Sequence, residues 1–104
     1  MRTRSQRRVP SATADEEPAI DHLARFRDGD RDAFDAIVAD FQERLIQFLY
    51  RLSWDLARAE DLTQTLFLKL LRGAARYRPE GKLSTYLFRI ATNLAYNYLH
   101  RRNR

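Results

Sequence analysis

Eight large apolar residues, Phe34, Ile37, Val38, Phe41, Leu45, Phe48, Leu49 and Leu52, recur at steps of three and four along one unbroken stretch. That spacing stripes one side of a long α-helix and cannot line one face of a strand, which needs period two. No part of the chain alternates with period two, and no internal repeat is visible. With 104 residues there is material for one core, not two. The expected fold is all-α: a compact bundle of three to four helices.

The breaks fall where chain-stopping residues stand. A first short helix is expected from Ala19 to Asp28, with Ile20, Leu23, Ala24 and Phe26 inward and Gly29 closing it. Asp30 then stands at a cap position, where its carboxylate would accept free amides of the next turn. The second helix runs from Arg31 to about Ser53. A third begins near Asp55 or Leu56 and continues to about Tyr77, burying Ala59, Leu62, Leu66, Phe67, Leu70, Leu71 and Ala74. Arg78-Pro79-Glu80-Gly81-Lys82 ends it, since Pro and Gly both terminate helices. A fourth follows over about Leu83 to Arg102, capped by Ser84 or Thr85. The shared core is expected to draw on Phe34, Ile37, Val38, Phe41, Leu45, Phe48, Leu66, Phe67, Leu70, Leu87, Ile90 and Leu94.

The fourth helix has two faces of different chemistry. Leu83, Leu87, Ile90, Ala91, Leu94 and Tyr98 form its apolar stripe. Opposite stand Tyr86, Arg89, Asn93, Tyr96, Asn97 and His100, running into Arg101, Arg102 and Arg104, with no acidic residue anywhere in the helix. A helix that needs only solubility carries Lys and Glu outside. Rings, carboxamides and guanidinium groups instead suit bases and phosphates. Charge points the same way. From Asp61 onward there are nine basic and two acidic residues, whereas the first sixty carry ten basic and twelve acidic ones. A basic pole on a near-neutral body favours a polyanion. A solvated basic tail would give the same count, but not the interleaved Tyr and Asn.

Other classes find little support. There is no Cys, hence no disulfide framework, thiolate metal site or cysteine nucleophile, and a reducing compartment is the better fit. His22 and His100 each lack a second ligand at metal spacing. Asp28, Asp30, Asp32 and Asp35 lack the closing Glu of a calcium loop and are better explained by capping. With no Gly-rich phosphate loop and no nucleophile–base pair, an enzyme is not expected, nor a cofactor or metal. No apolar run approaches the ~18 residues of a membrane span. Arg2, Arg4, Arg7 and Arg8 precede Pro, Ser, Ala, Thr and acids, not an apolar block, so no secretory signal is expected. Residues 1–18, with Pro10 and Pro18, read as a disordered basic arm.

Three stretches, taken together, carry a family likeness: Gly29-Asp30 with Ala33-Phe34; Ala59-Glu60-Asp61-Leu62-Thr63-Gln64 with Phe67; and Leu83 with Thr85-Tyr86-Leu87-Phe88-Arg89-Ile90-Ala91-Thr92-Asn93. They resemble region 2 of the sigma-70 family, and more narrowly the extracytoplasmic-function group of bacterial sigma factors. The resemblance covers about Ala19 to Arg104 and implies a helical domain with two tasks. One is to dock on the beta-prime coiled coil of RNA polymerase. The other is to recognise and open the minus-ten promoter element through its non-template strand. It further implies an anti-sigma factor as partner, no membrane insertion, and a bacterial cytoplasmic, nucleoid-associated location. Complete members carry a second domain that reads the minus-thirty-five element. This chain stops at Arg104, about where the linker to it would start, so an excised or truncated domain is expected.

By this resemblance Glu60, Asp61, Gln64 and Thr65 face the polymerase, with Asp61 and Gln64 fitting the family's acid-x-x-Gln signature. Thr65 replaces an acid common there. The promoter surface is implied for Lys82, Ser84, Thr85, Tyr86, Arg89, Asn93, Tyr96, Asn97, His100, Arg101 and Arg102. Tyr86 stands where Trp is common, Asn97 where Asp is common and His100 where Arg is common, so the preferred promoter sequence does not carry over. Two other readings stay open at this level: a helical module reading intact duplex in the major groove, and a sigma-like decoy that captures an anti-sigma factor.

Overall fold

A computed structural model describes residues 21–102. The expected disordered arm over 1–18, the helix start at Ala19 and the inward Ile20 lie outside the described residues. Helix α1 spans His22–Arg27, because Asp21 caps it: Asp21 Oδ1 accepts the amides of Leu23 and Ala24 at 2.9 and 3.1 Å. Gly29 then turns the chain at φ +115°, a backbone that side chains resist. Helix α2 runs from Arg31 to Ser53, as its stripe predicts. Asp30 does stand at its cap position, yet its side chain makes no capping bond. Its Oδ2 instead pairs with the Arg25 guanidinium at 3.0 Å.

A two-residue corner joins α2 to α3 (Leu56–Gly73). Ser53 is buried, donates from Oγ to the Asp55 carbonyl at 3.2 Å and accepts the Asp55 amide at 3.3 Å. Asp55 Oδ1 in turn caps α3 by accepting the Arg58 amide. Between them Trp54 sits at φ +57°, 77% exposed, with its ring edge-on to Tyr50 at 5.8 Å. The left-handed region costs a non-glycine residue about 1–2 kcal/mol. Trp54→Gly removes that cost, and the freer unfolded chain gives back only about 0.5–1 kcal/mol. A rise in Tm of about 4 °C is the expected result by circular dichroism. A lower Tm would show that the ring contact with Tyr50 outweighs the strain.

Helix α3 ends at Gly73 and passes into a 3-10 turn over Ala74–Arg76, so it is shorter than the expected run to Tyr77. Helix α4 covers Leu83–Arg102, matching its expected span. The Lys82 carbonyl accepts the Tyr86 amide at 3.2 Å. Lys82 therefore holds the position ahead of the helix, and Ser84 and Thr85 fall inside the first turn instead of capping it. The described residues contain no strand.

One core joins the four helices, with Leu23, Ile37, Leu45, Leu49, Leu66 and Leu87 fully enclosed. Phe34, Val38, Phe48, Ile90 and Leu94 pack on it half-buried. Aromatic pairs hold three joints, all on α2: Phe26–Phe34 at 5.2 Å with α1, Phe34–Phe67 at 6.2 Å with α3, and Phe48–Phe88 at 5.2 Å with α4. Two stripe members do not belong. Leu52 and Leu71, expected inside, are 40% and 42% exposed, because each stands at the edge of its stripe. Ala33, Ser53, Thr63 and Ala95 are buried in addition.

Candidate nucleic-acid and polymerase interface

Helices α3 and α4 form an antiparallel hairpin, with the Arg58 guanidinium 4.5 Å from the centroid of the Tyr98 ring near its open end. Each helix turns a different surface outward. On α3, Glu60, Asp61, Gln64 and Thr65 are all exposed, while Thr63 between them is buried and donates from Oγ1 to the Ala59 carbonyl at 2.8 Å. Asp61 and Gln64, three residues apart, share one side of the helix. Seven and ten residues beyond Asp61 (two and nearly three turns) come Leu68 and Leu71, 47% and 42% exposed on that same side. The sequence reading missed Leu68 and placed Leu71 in the core. An acid and a carboxamide beside two uncovered leucines form a surface suited to another protein.

On α4, Arg89, Asn93, Tyr96, Asn97 and His100 are exposed along one side, with Lys82 and Thr85 exposed at its start. Tyr96 and His100 hold each other: the hydroxyl and Nε2 share a hydrogen bond at 2.7 Å, with ring centroids 4.3 Å apart. Tyr86 departs from expectation. It is half-buried, packs on the core edge and lies 5.3 Å from the ring of Tyr77, so it is not a free outward ring. Ser84 is half-buried as well. Arg101 is exposed but lines a different groove, of about 610 Å³, with Arg58, Leu62, Thr65, Leu94 and Tyr98. Arg102 closes the helix, and Arg104 lies outside the described residues.

Where the loop meets α4 there is a cavity of about 100 Å³, lined by Tyr77, Arg78, Glu80, Lys82, Thr85, Tyr86 and Arg89. Three cations and one acid surround two tyrosine rings. Tyr77, which the sequence marks only as the end of the third helix and the start of this loop, is buried. Its hydroxyl donates to Asp21 Oδ2 at 2.6 Å, and its carbonyl accepts from Arg27 Nη1 at 2.8 Å. Arg27 also donates to Asp28 at 2.9 and 3.1 Å, which holds the Asp28 carboxyl below the usual carboxylate range. No group of three or more His, Cys, Asp or Glu side chains converges to hold a metal among the described residues. No helix among them is long and apolar enough to cross a membrane.

Comparison with known proteins gives the family to which this hairpin belongs. Residues 37–104, which include both outward surfaces, match the model of sigma-70 region 2. The chain belongs to the sigma-70 region 2 family. Within it, the similarity is to the extracytoplasmic-function (ECF) group. The RNA polymerase sigma-H factor of Pseudomonas aeruginosa is 35% identical over 82 residues, covering 79% of this chain and 42% of that protein. The RNA polymerase sigma factor CarQ of Myxococcus xanthus is 40% identical over 78% of this chain and 47% of its own length. The ECF RNA polymerase sigma factor SigW of Bacillus subtilis is 31% identical over 77% and 43%. The chain thus spans less than half the length of these relatives. Sigma factors are transcription initiation factors, not enzymes.

Proposed function

We propose that residues 19–104 act as the region 2 domain of an ECF sigma factor in transcription initiation. In this reading the α3 surface docks on the beta-prime coiled coil of RNA polymerase. The α4 surface then recognises and opens the minus-ten element by capturing unpaired bases of the non-template strand. The observation that carries the reading is the acid-free side of α4, where Arg89 lines the tyrosine-bordered cavity and Asn93, Tyr96 and Asn97 lie exposed further along the helix. Carboxamides and rings gain most from bases whose edges and faces are free, whereas a duplex offers only groove edges and phosphates. Opening a duplex costs unstacking energy, and a cavity next to a ring offsets it by holding the displaced base. The domain works in the cytoplasm at the nucleoid, and an anti-sigma factor is a further partner.

Single-stranded non-template oligonucleotide, the same sequence as duplex, and the beta-prime coiled-coil fragment, each titrated separately, test the reading. The strand is expected to bind more tightly than the duplex; equal binding would reduce α4 to a nonspecific basic patch and favour the decoy reading. On the other surface, Asp61→Ala is expected to weaken coiled-coil binding by about ten-fold or more and Gln64→Ala by about five-fold, the orders set by one charge-assisted and one neutral interface hydrogen bond. Helix content should stay constant, since neither change opens a core cavity. Undiminished binding in both variants would leave the Asp61 side of α3 as an ordinary solvated turn.

A further inference from the structure

Helix α1 matches no part of the outward surfaces, yet it makes the two longest-range side-chain hydrogen bonds among those described, and both end on Tyr77. The bonds span 50 and 56 residues. Asp21 divides its carboxylate between two tasks: Oδ1 caps α1, while Oδ2 accepts the Tyr77 hydroxyl at 2.6 Å. Arg27, one helix length on, donates to the Tyr77 carbonyl at 2.8 Å. Tyr77 is thereby gripped at both its backbone and its ring tip. That ring lies 5.3 Å from Tyr86 at an interplanar angle of 49°, and the segment that follows it rims the cavity.

We propose that α1 is a positioning element for strand capture: through Asp21 and Arg27 it fixes Tyr77, and Tyr77 fixes the ring of Tyr86 and the near wall of the base-holding cavity. Tyr77 and Arg27 act as positioning residues, not as contacts to DNA. The proposal rests on the strand-capture reading of α4. Its physical basis is preorganisation. The loop contains Pro79 and a Gly81 at φ +95°, so its course is set by where it is anchored, and a site built before the ligand arrives need not spend affinity on ordering itself.

The test uses the 104-residue chain and a single-stranded minus-ten oligonucleotide, intact or with one abasic nucleotide at each position in turn. For the unaltered chain, removing the captured base is expected to weaken binding about ten-fold at one position, the scale of one lost base stack. In Tyr77→Phe and Arg27→Ala that penalty should shrink to about two-fold, with intact-strand affinity down about five-fold, the order of one lost preorganising hydrogen bond. Duplex binding, its salt dependence and coiled-coil binding should not change, which separates positioning from general loosening. Arg27→Lys, which keeps a donor for the Tyr77 carbonyl, should restore the penalty. If Tyr77→Phe fails to fold, the half-exposed Arg27 decides alone. Folded variants that keep the full penalty overturn the proposal while leaving strand capture intact. Absence of any position-specific penalty in the unaltered chain overturns both.

Discussion

Leu66→Ala is expected to cost the domain about 2–5 kcal/mol, against a total stability of about 5–15 kcal/mol for a domain of this kind. Leu66 is fully enclosed between the helices, so removing its branched end leaves a cavity that the surrounding leucines fill only in part. Leu71→Ala provides the contrast. One turn and a residue further along the same helix, Leu71 is 42% exposed, and its truncation should fall within about 0.5 kcal/mol of no effect. Urea unfolding followed by far-ultraviolet circular dichroism measures both. Tryptophan emission is the poorer probe, since the one tryptophan lies outside the core. Equal losses at the two positions would mean that α3 buries a wider stripe than its packing indicates.

Tyr86→Ala is expected to weaken binding of the single-stranded minus-ten oligonucleotide by about ten-fold or more, with duplex binding little changed. The ring borders the cavity and abuts Tyr77, where a displaced base would meet an aromatic face. Because Tyr86 also packs on the core edge, its truncation carries a stability cost of its own. The measurement therefore runs well below the melting temperature of the variant, with helix content checked alongside. Tyr86→Phe keeps the ring and loses only the hydroxyl, so it should retain most of the affinity if stacking is the source. A strand affinity untouched by Tyr86→Ala would remove the ring from the capture scheme.

The long elements were legible because their signal is local and repeated. The α2 stripe marks both ends of that helix, and α4 begins and ends where its pattern does. What escaped was of two kinds. At stripe edges, hydropathy cannot tell whether a neighbouring helix covers the residue: Leu52 and Leu71 look like core and are not, while small Ala33, Thr63 and Ala95 look neutral and are buried. The other kind is a polar group's choice of partner. Asp30 stands where a cap belongs, yet its carboxylate makes no capping bond and pairs through Oδ2 with Arg25, five residues earlier. Within the site, the exposed side of α4 followed from spacing alone. The burial of Tyr86 and the anchoring of Tyr77 depend on partners 9 to 56 residues away, which no local pattern encodes.

The antiparallel pairing of α3 and α4 has a mechanical consequence. Asp61 and Tyr86 belong to two rods that share a packed seam, with the buried methyl groups of Ala59, Ala91 and Ala95 adding little bulk to the bundle. Along α4, Asn97 beside the open end and Tyr86 beside the loop are separated by roughly 16 Å at the helical rise. That interval is counted out in residues of one helix and has no hinge within it. Under the proposed function the hairpin would therefore behave as a gauge block: a polymerase seated against α3 would set, at the same stroke, how far along a nucleic-acid strand the tyrosine ring arrives. Inserting one residue in α4 between these points would turn the ring by about 100° as well as displace it, so length and facing are locked together.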